Sequence, residues 1–336
     1  MLVNDENFGI FDEPAERRIG FFLAPTFAML PFIAAIETLR VANRFSGKPL
    51  YSWHVISIDG EPVRASNGMS QEAKYAISDL DDFPMVIVCG AHSPHYYDEP
   101  QVFQWLRNVA GKNAIMGAVD TGAYMLAQAG ILKDHRCTIH WLNIPGLKAA
   151  FPKLIVTTKL FEVDRGRRTC AGGNAAMDMI LNMIEEDHSP DLAVAVSENF
   201  IVDHIRQPGQ AQRMNLRERT GISNNHLLEC IELMEANIEQ PLMPSELANA
   251  IGISKRQLER LFQRYLGCTP SGYYTELRLL EGRRLLTQTS LKITDIALAC
   301  GFPSPGYFSN RYRGLFGYSP REERSTAYTS IKRINL

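Results

Sequence analysis

The sequence predicts a doubly wound α/β domain followed by an all-α domain that holds two helix-turn-helix units. Three observations carry this. Short apolar runs alternate with helical patterns over roughly the first 200 residues. One run ends in a turn of small residues, Gly117-Ala118-Val119-Asp120-Thr121-Gly122-Ala123. The last third of the chain repeats itself at an offset of 49 to 50 residues.

Strands are expected at 18–23, 53–58, 85–89, 114–119 and 154–158, and helices at 32–43, 101–109, 122–129, 144–151 and 174–186. Several strands are almost continuously apolar, Met85-Val86-Ile87-Val88-Cys89 above all, as expected where helices cover both faces of a sheet. Strand–helix alternation of this kind makes a parallel, doubly wound sheet. The run 19–36 is uncharged for eighteen residues after Arg17-Arg18, at the lower edge of the ~17–25 residues that cross a bilayer. Pro25 and Pro31 break it, and acidic residues precede it. It is therefore expected as a strand, a Pro-containing loop and a helix, not as a membrane span or an export signal.

At 336 residues, with 45% apolar and 21% charged residues, the chain can build two cores and is neither disordered nor fibrous. Its six cysteines are scattered, with no Cys-x-x-Cys and no tight Cys/His cluster. That argues against a zinc finger or a disulfide scaffold and fits a reduced, cytoplasmic compartment; no metal or cofactor is expected. The net charge of −2 conceals a split. Residues 1–222 hold 21 basic against 26 acidic residues, whereas residues 223–336 hold 14 against 11. Such asymmetry points to halves with different partners.

Ligands of doubly wound sheets sit outside the carboxyl ends of the strands, which directs attention to the turns after Leu23, Cys89 and Val119. After Val119 a buried strand meets one exposed residue, Asp120, before Thr121 and Gly122 open a small-residue helix. This is the shape of a nucleophile elbow. His140-Trp141 follows twenty residues on, Glu37 lies on the helix after the first strand, and His92 lies in the loop after Cys89 that rims the same crevice. Glu37 and Asp120 opposite His140 and Trp141 suit a small cationic or amino-bearing ligand, through charge and a cation–π face. Two other readings stay open: Asp120 as an aspartyl nucleophile partnered by His140, and Asp120 as no more than the cap of the helix beginning at Thr121.

Over about residues 17–187 this pattern resembles the class I glutamine amidotransferase-like superfamily in its PfpI-type branch, which implies a flavodoxin-like fold. In that family the elbow reads roughly Gly-x-Cys-x-Gly, and a glutamate of the first helix and a later histidine approach the cysteine. Glu37 and His140 match these two, while Asp120 stands in the cysteine's place. A carboxylate cannot replace a thiolate in that chemistry, and Cys89 and Cys170 lie in other segments. The resemblance therefore implies a domain that binds without catalysis, with Glu37, His92, Asp120, Thr121, His140 and Trp141 as its ligand set.

Beyond a helix at 190–204, the polar stretch 205–223 with Pro208-Gly209 reads as a linker. A helix over 224–239 follows, and then the repeat. Leu247-Ala248-x3-Gly252 matches Ile296-Ala297-x3-Gly301, and Ser254, Leu258, Leu266, Gly267, Thr269 and Pro270 match Ser304, Phe308, Phe316, Gly317, Ser319 and Pro320. Each unit is a helix, a tight Gly turn, and a second helix opened by a Ser cap and stopped by Gly-x-[Thr/Ser]-Pro, the grammar of a helix-turn-helix. The amphipathic helix 271–288 holds the units at a fixed separation, so that two second helices can enter successive major grooves about 34 Å apart. In unit one, Leu258, Leu261, Phe262 and Tyr265 are expected inside and Lys255, Arg256, Glu259, Arg260, Gln263 and Arg264 outside. Unit two exposes Pro305, Gly306, Ser309, Asn310 and Arg313 and offers few long side chains for base reading.

The motifs Ser-Lys-Arg-Gln-Leu-Glu-Arg-Leu-Phe at 254–262, Ile-Ala-x3-Gly-Phe at 296–302 and Tyr-Phe-Ser-Asn-Arg-Tyr-Arg-Gly-Leu-Phe-Gly-Tyr-Ser-Pro at 307–320 closely resemble the AraC-type regulator DNA-binding domain, over about residues 224–324. That resemblance implies base reading by Arg256, Glu259 and Arg260 and by Pro305, Gly306, Ser309 and Asn310, the last standing where many relatives carry arginine. Chains that join these two domains with Asp-Thr-Gly at the elbow are similar to regulators of arginine, carnitine and glycine-betaine catabolism. The expectation is a non-enzymatic, ligand-responsive activator. It would use an N-terminal arm (1–16), a sensing and dimerising domain (17–204), a linker (205–223), a DNA-binding domain (224–324) and a tail (325–336). Its expected partners are promoter double-stranded DNA, RNA polymerase, a second copy of itself and a small nitrogenous effector of the betaine, carnitine or basic amino acid type, and no membrane. The alternative is a hydrolase that uses Asp120 and His140 and is tethered to DNA.

Overall fold

The computed structural model describes residues 15–80 and 82–325, so the expected arm and tail fall outside it except at their inner ends. The chain divides into two compact units after Gln212.

In the first unit, seven strands form one sheet: β1 (Arg17–Leu23), β2 (Tyr51–Ser57), β3 (Tyr75–Ala76), β4 (Met85–Cys89), β5 (Ile115–Val119), β6 (Phe161–Asp164) and β7 (Arg167–Cys170), in the order β6-β7-β5-β4-β1-β2-β3. All neighbours are parallel except the β6–β7 hairpin. One apolar core lies under α1 (Met29–Ser46), α5 (Ala175–Asp187) and α6 (Pro190–Asn199), and a second under α2 (Pro100–Gly111), α3 (Gly122–Gln128) and α4 (Ile144–Ala150). With both faces covered, β4 is wholly buried. The strand order reverses between β1 and β4, and the ends of four strands align there in the row Leu23, Cys89, Val119, Cys170. The apolar run 19–36 splits into β1 and the start of α1, where Pro31 is tolerated in the first turn. No helix among the described residues is long and apolar enough to cross a membrane.

The expected strand at 154–158 is corrected. Only Ile155–Val156 is extended, pairing with Arg136–Cys137 in a separate ribbon, and Ile155 is exposed. The place expected for that strand in the parallel sheet is taken by β7, which follows β6 through Arg165-Gly166, both at positive φ (+47° and +76°), as a two-residue I′ hairpin requires. Its polar composition hides it. Arg168 is buried through ion pairing with Glu186, and Glu162 is buried beside Lys159 at 3.0 Å.

The stretch 205–223 is not a free linker. Residues up to 212 lie on the first unit: Ala211 bridges to Lys159, and Leu160 N–H donates to Gln210 O at 3.1 Å. The second unit opens with α7 (Leu216–Thr220), capped by Asn215, and Leu216 and Ile222 enter its core. There follow α8 (Asn225–Ala236), α9 (Pro244–Ala250), α10 (Lys255–Leu266), α11 (Pro270–Gln288), α12 (Ile293–Ala299) and α13 (Pro305–Phe316). Helices α9–α10 and α12–α13 are the two helix-turn-helix units, each with its own core, joined by α11.

Candidate functional site

The turn after β5 is an elbow. Asp120 sits at φ +56°, a conformation that costs a non-glycine residue about 1 kcal/mol or more. Glycines make room for it. A Cβ on Gly122 would run into Val88 O, and one on Gly90 into the backbone of Thr121 and Gly122. Gly172, at the end of β7, lies so close that a Cβ there would be 2.8 Å from the Asp120 carboxyl. Burial pushes that carboxyl up to about 6, offset only by a hydrogen bond from the Thr121 backbone amide. The neighbouring thiols are inert: burial pushes Cys170 up to about 12, and Cys89 also rises well above the usual thiol range.

A cavity of about 300 Å³ opens beside this elbow. His140 and Trp141 form one wall, and Gly172, Gly173 and Asn174 form another at the start of α5. His140 caps a short 3₁₀ turn, its Nδ1 accepting from Leu142 N–H at 3.4 Å. Burial lowers its pKa, so the ring is neutral at pH 7 with its proton on Nε2. Arg206 and Gln212 close the cavity. Arg206 is held by Asp178, through its guanidinium at 2.6 Å and its backbone N–H at 3.2 Å. The Gln212 side-chain amide donates to Thr138 Oγ1 (2.9 Å), Ile139 O (3.0 Å) and Lys159 O (2.9 Å).

Of the six expected ligand residues, His140 and Trp141 line this cavity. Asp120 is not among the residues that line it but abuts one that is, since a Cβ on Gly172 would lie 2.8 Å from its carboxyl. Thr121 is the residue that precedes α3; it is buried, and its hydroxyl donates to Ala91 O at 2.8 Å. Glu37 is engaged by Arg40 one turn along α1, at 2.7 Å. His92 is exposed, its backbone N–H donating to Thr26 Oγ1 at 3.2 Å. Arg206 and Gln212 were missed because they sit in a polar stretch without periodicity. The Gly172-Gly173 pair between a strand and a helix was the legible signal for the other wall.

In the second unit, α10, the second helix of the first helix-turn-helix, is opened by a capping box: Ser254 Oγ accepts from Gln257 N–H, and Gln257 Oε1 accepts from Ser254 N–H at 2.8 Å. Leu258 and Phe262 are buried, and Lys255, Arg256, Glu259, Arg260 and Arg264 are exposed. Lys255 and Glu259 pair weakly across one turn at 3.9 Å. Tyr265, expected inside, is 39% exposed, with Arg264 stacked over its ring at 5.5 Å. On α13, capped by Ser304, Gly306, Asn310 and Arg313 are exposed, and Pro305 and Ser309 are half-buried. The Ser309 hydroxyl donates to Pro305 O at 2.8 Å, and Arg313 lies 3.6 Å from Glu322. Arg311, not anticipated, is exposed beside Tyr307 at 5.9 Å.

Comparison with known proteins places this geometry. The DJ-1/PfpI family model matches residues 17–186, and a helix-turn-helix domain model matches residues 247–326. The HTH-type transcriptional regulator CdhR of Pseudomonas aeruginosa is 44% identical over 305 residues, 91% of this chain and 90% of that protein. The HTH-type transcriptional regulator GlxA of Rhizobium meliloti is 37% identical, over 90% of this chain and 94% of that protein. An AraC family transcriptional regulator from Pseudomonas putida, solved by crystallography, is similar with a TM-score of 0.51 at 27% identity, covering 56% of this chain and 100% of that one. A doubly wound sheet ahead of a helix-turn-helix pair defines the class, a transcriptional regulator. The chain belongs to the AraC-type regulators whose first domain is of the DJ-1/PfpI family.

Proposed function

We propose that the chain is a ligand-responsive transcriptional activator of the cytoplasm. Its first unit binds a small nitrogenous metabolite in the cavity walled by His140, Trp141, Arg206 and Gln212, and forms a homodimer. Its second unit reads promoter DNA through Lys255, Arg256, Glu259, Arg260 and Arg264 and through Pro305, Gly306, Ser309, Asn310 and Arg313, in reach of RNA polymerase. The observation that carries the ligand reading is Asp120, a half-buried carboxyl whose acidity burial weakens, set against Gly172 in the wall of a cavity that also holds an indole. A cationic head group against Trp141 would bring a positive charge towards that carboxyl. For regulation, the ligand must have different affinities for the DNA-competent and DNA-incompetent states.

A thermal-shift screen of glycine betaine, carnitine and basic amino acids tests this. One class should raise Tm, by an amount equivalent to about 2.7 kcal/mol at a hundredfold excess over Kd, and Trp141→Ala should remove the shift while duplex binding persists. No shift with any of them, in a chain that still binds DNA, would leave a constitutive DNA-binding protein instead. Turnover of an ester or amide that Asp120→Asn abolishes would establish the hydrolase.

A further inference from the structure

The two helix-turn-helix units have separate cores joined by α11, and a small set of side-chain and backbone contacts also crosses between them. Tyr274 belongs to the first core and Phe302 to the second. Tyr274 stands one helical turn before Arg278 on α11, Phe302 follows α12, and the Arg278 guanidinium lies over both rings, 5.7 Å from that of Tyr274 and 4.5 Å from that of Phe302. Arg278 also donates to Gly301 O at 2.9 Å, in the turn between α12 and α13. Gly301 (φ +68°) is seated directly on the α8–α9 loop. A Cβ there would lie 2.7 Å from Ile238 O and from Pro241 Cδ and 2.8 Å from Glu239 O. From the same loop, Ile238 packs on the second core, and Asn237 O accepts from the Tyr274 hydroxyl at 2.6 Å. A flat guanidinium that meets a ring of each core and is tied to a backbone carbonyl holds both rotation and distance, which an ammonium on a flexible stem cannot do.

We infer that Arg278, with the Gly301 seat, is a positioning residue for DNA reading: it sets the separation of the two reading helices and with it the half-site spacing the protein accepts. This rests on the assignment of α10 and α13 as the reading helices. Two modules on one rigid link bind far more tightly than either alone when the link matches the span of the sites, and loosening the link lowers that advantage and its dependence on spacing together.

The test uses the full chain on duplexes selected in vitro by the wild type, at stated salt, with insertions and deletions of single base pairs between the half-sites and with one half-site scrambled. Arg278→Ala is expected to weaken binding to the native spacing by about tenfold to a hundredfold. It should flatten the penalty for altered spacing and leave binding to the single half-site unchanged. Arg278→Lys should behave like Arg278→Ala. Equal losses on full and half sites, with the spacing profile kept, would overturn the inference. A second measurement needs no DNA: electron–electron dipolar distances between spin labels at Gln263→Cys and Gly314→Cys in a Cys268→Ser background. One narrow distance should broaden with Arg278→Ala while far-UV circular dichroism is unchanged; an unbroadened distance overturns the inference whatever the duplexes do. Loss of all duplex binding by the wild type, with broadening intact, would count against the reading helices and not against the clamp.

Discussion

Asp120 holds a left-handed backbone, a carboxyl pushed up to about 6 by burial, and a glycine pressed against its side chain. Against the ~3.9 of an unfolded aspartate, the folded chain keeps a proton that the unfolded chain releases between about pH 4 and 6. Stability from this group is therefore full below that window, declines through it and stays lower above it. Asparagine is nearly isosteric, tolerates the left-handed region and cannot ionise. Asp120→Asn is expected to raise stability near pH 7.5 by about 1–3 kcal/mol and to be nearly neutral near pH 4, read from urea midpoints at both. An equal gain at both would assign the effect to packing. If a cationic ligand faces this carboxyl, its affinity rises as pH passes through about 6, and titration calorimetry on either side of that value checks the direction. At Gly122 the outcome is harsher: alanine collides with Val88 O, and a loss beyond about 4 kcal/mol, or no folded protein, is expected on a Tm assay. On the DNA side, Arg260→Ala should cost about 1–3 kcal/mol in a mobility-shift titration and relax preference at one base position.

Among the elements, those with local signals were legible and those without were not. Helix α10 was readable from Ser254, Gln257 and Gly267, because caps act within one turn. The β6–β7 hairpin was not, because its strands carry Arg167, Arg168 and Glu162 and draw their stability from partners on other elements. The segment from Arg206 to Gln212 is the same case. Gln212→Ala removes an amide shared by three acceptors and should cost about 1–3 kcal/mol, with faster tryptic cleavage after Arg206. Unchanged cleavage would mean that the Arg206–Asp178 contact and the backbone bonds at Gln210 and Ala211 hold the segment down without it.

For the molecule as a whole, two units with separate cores predict two calorimetric transitions for the intact chain. A metabolite that passes the thermal-shift screen should move mainly the transition of the first unit and a duplex mainly that of the second, and the smaller shift each causes in the other transition measures the coupling that regulation requires. A single transition that both ligands shift together would show the units to be thermodynamically one.

By itself the sequence determined the two architectures, the elbow and the duplicated helix-turn-helix, because apolar periodicity, caps and glycine turns act over one to a few turns of chain. Tertiary structure alone decided which polar residues meet. Arg206 finds Asp178 across 28 residues and Gln212 finds Thr138 across 74. Asp120 ends up against Gly172, and Arg278 over a ring of each helix-turn-helix core. A polar side chain's partner is set by where the backbone returns, and no local pattern records that.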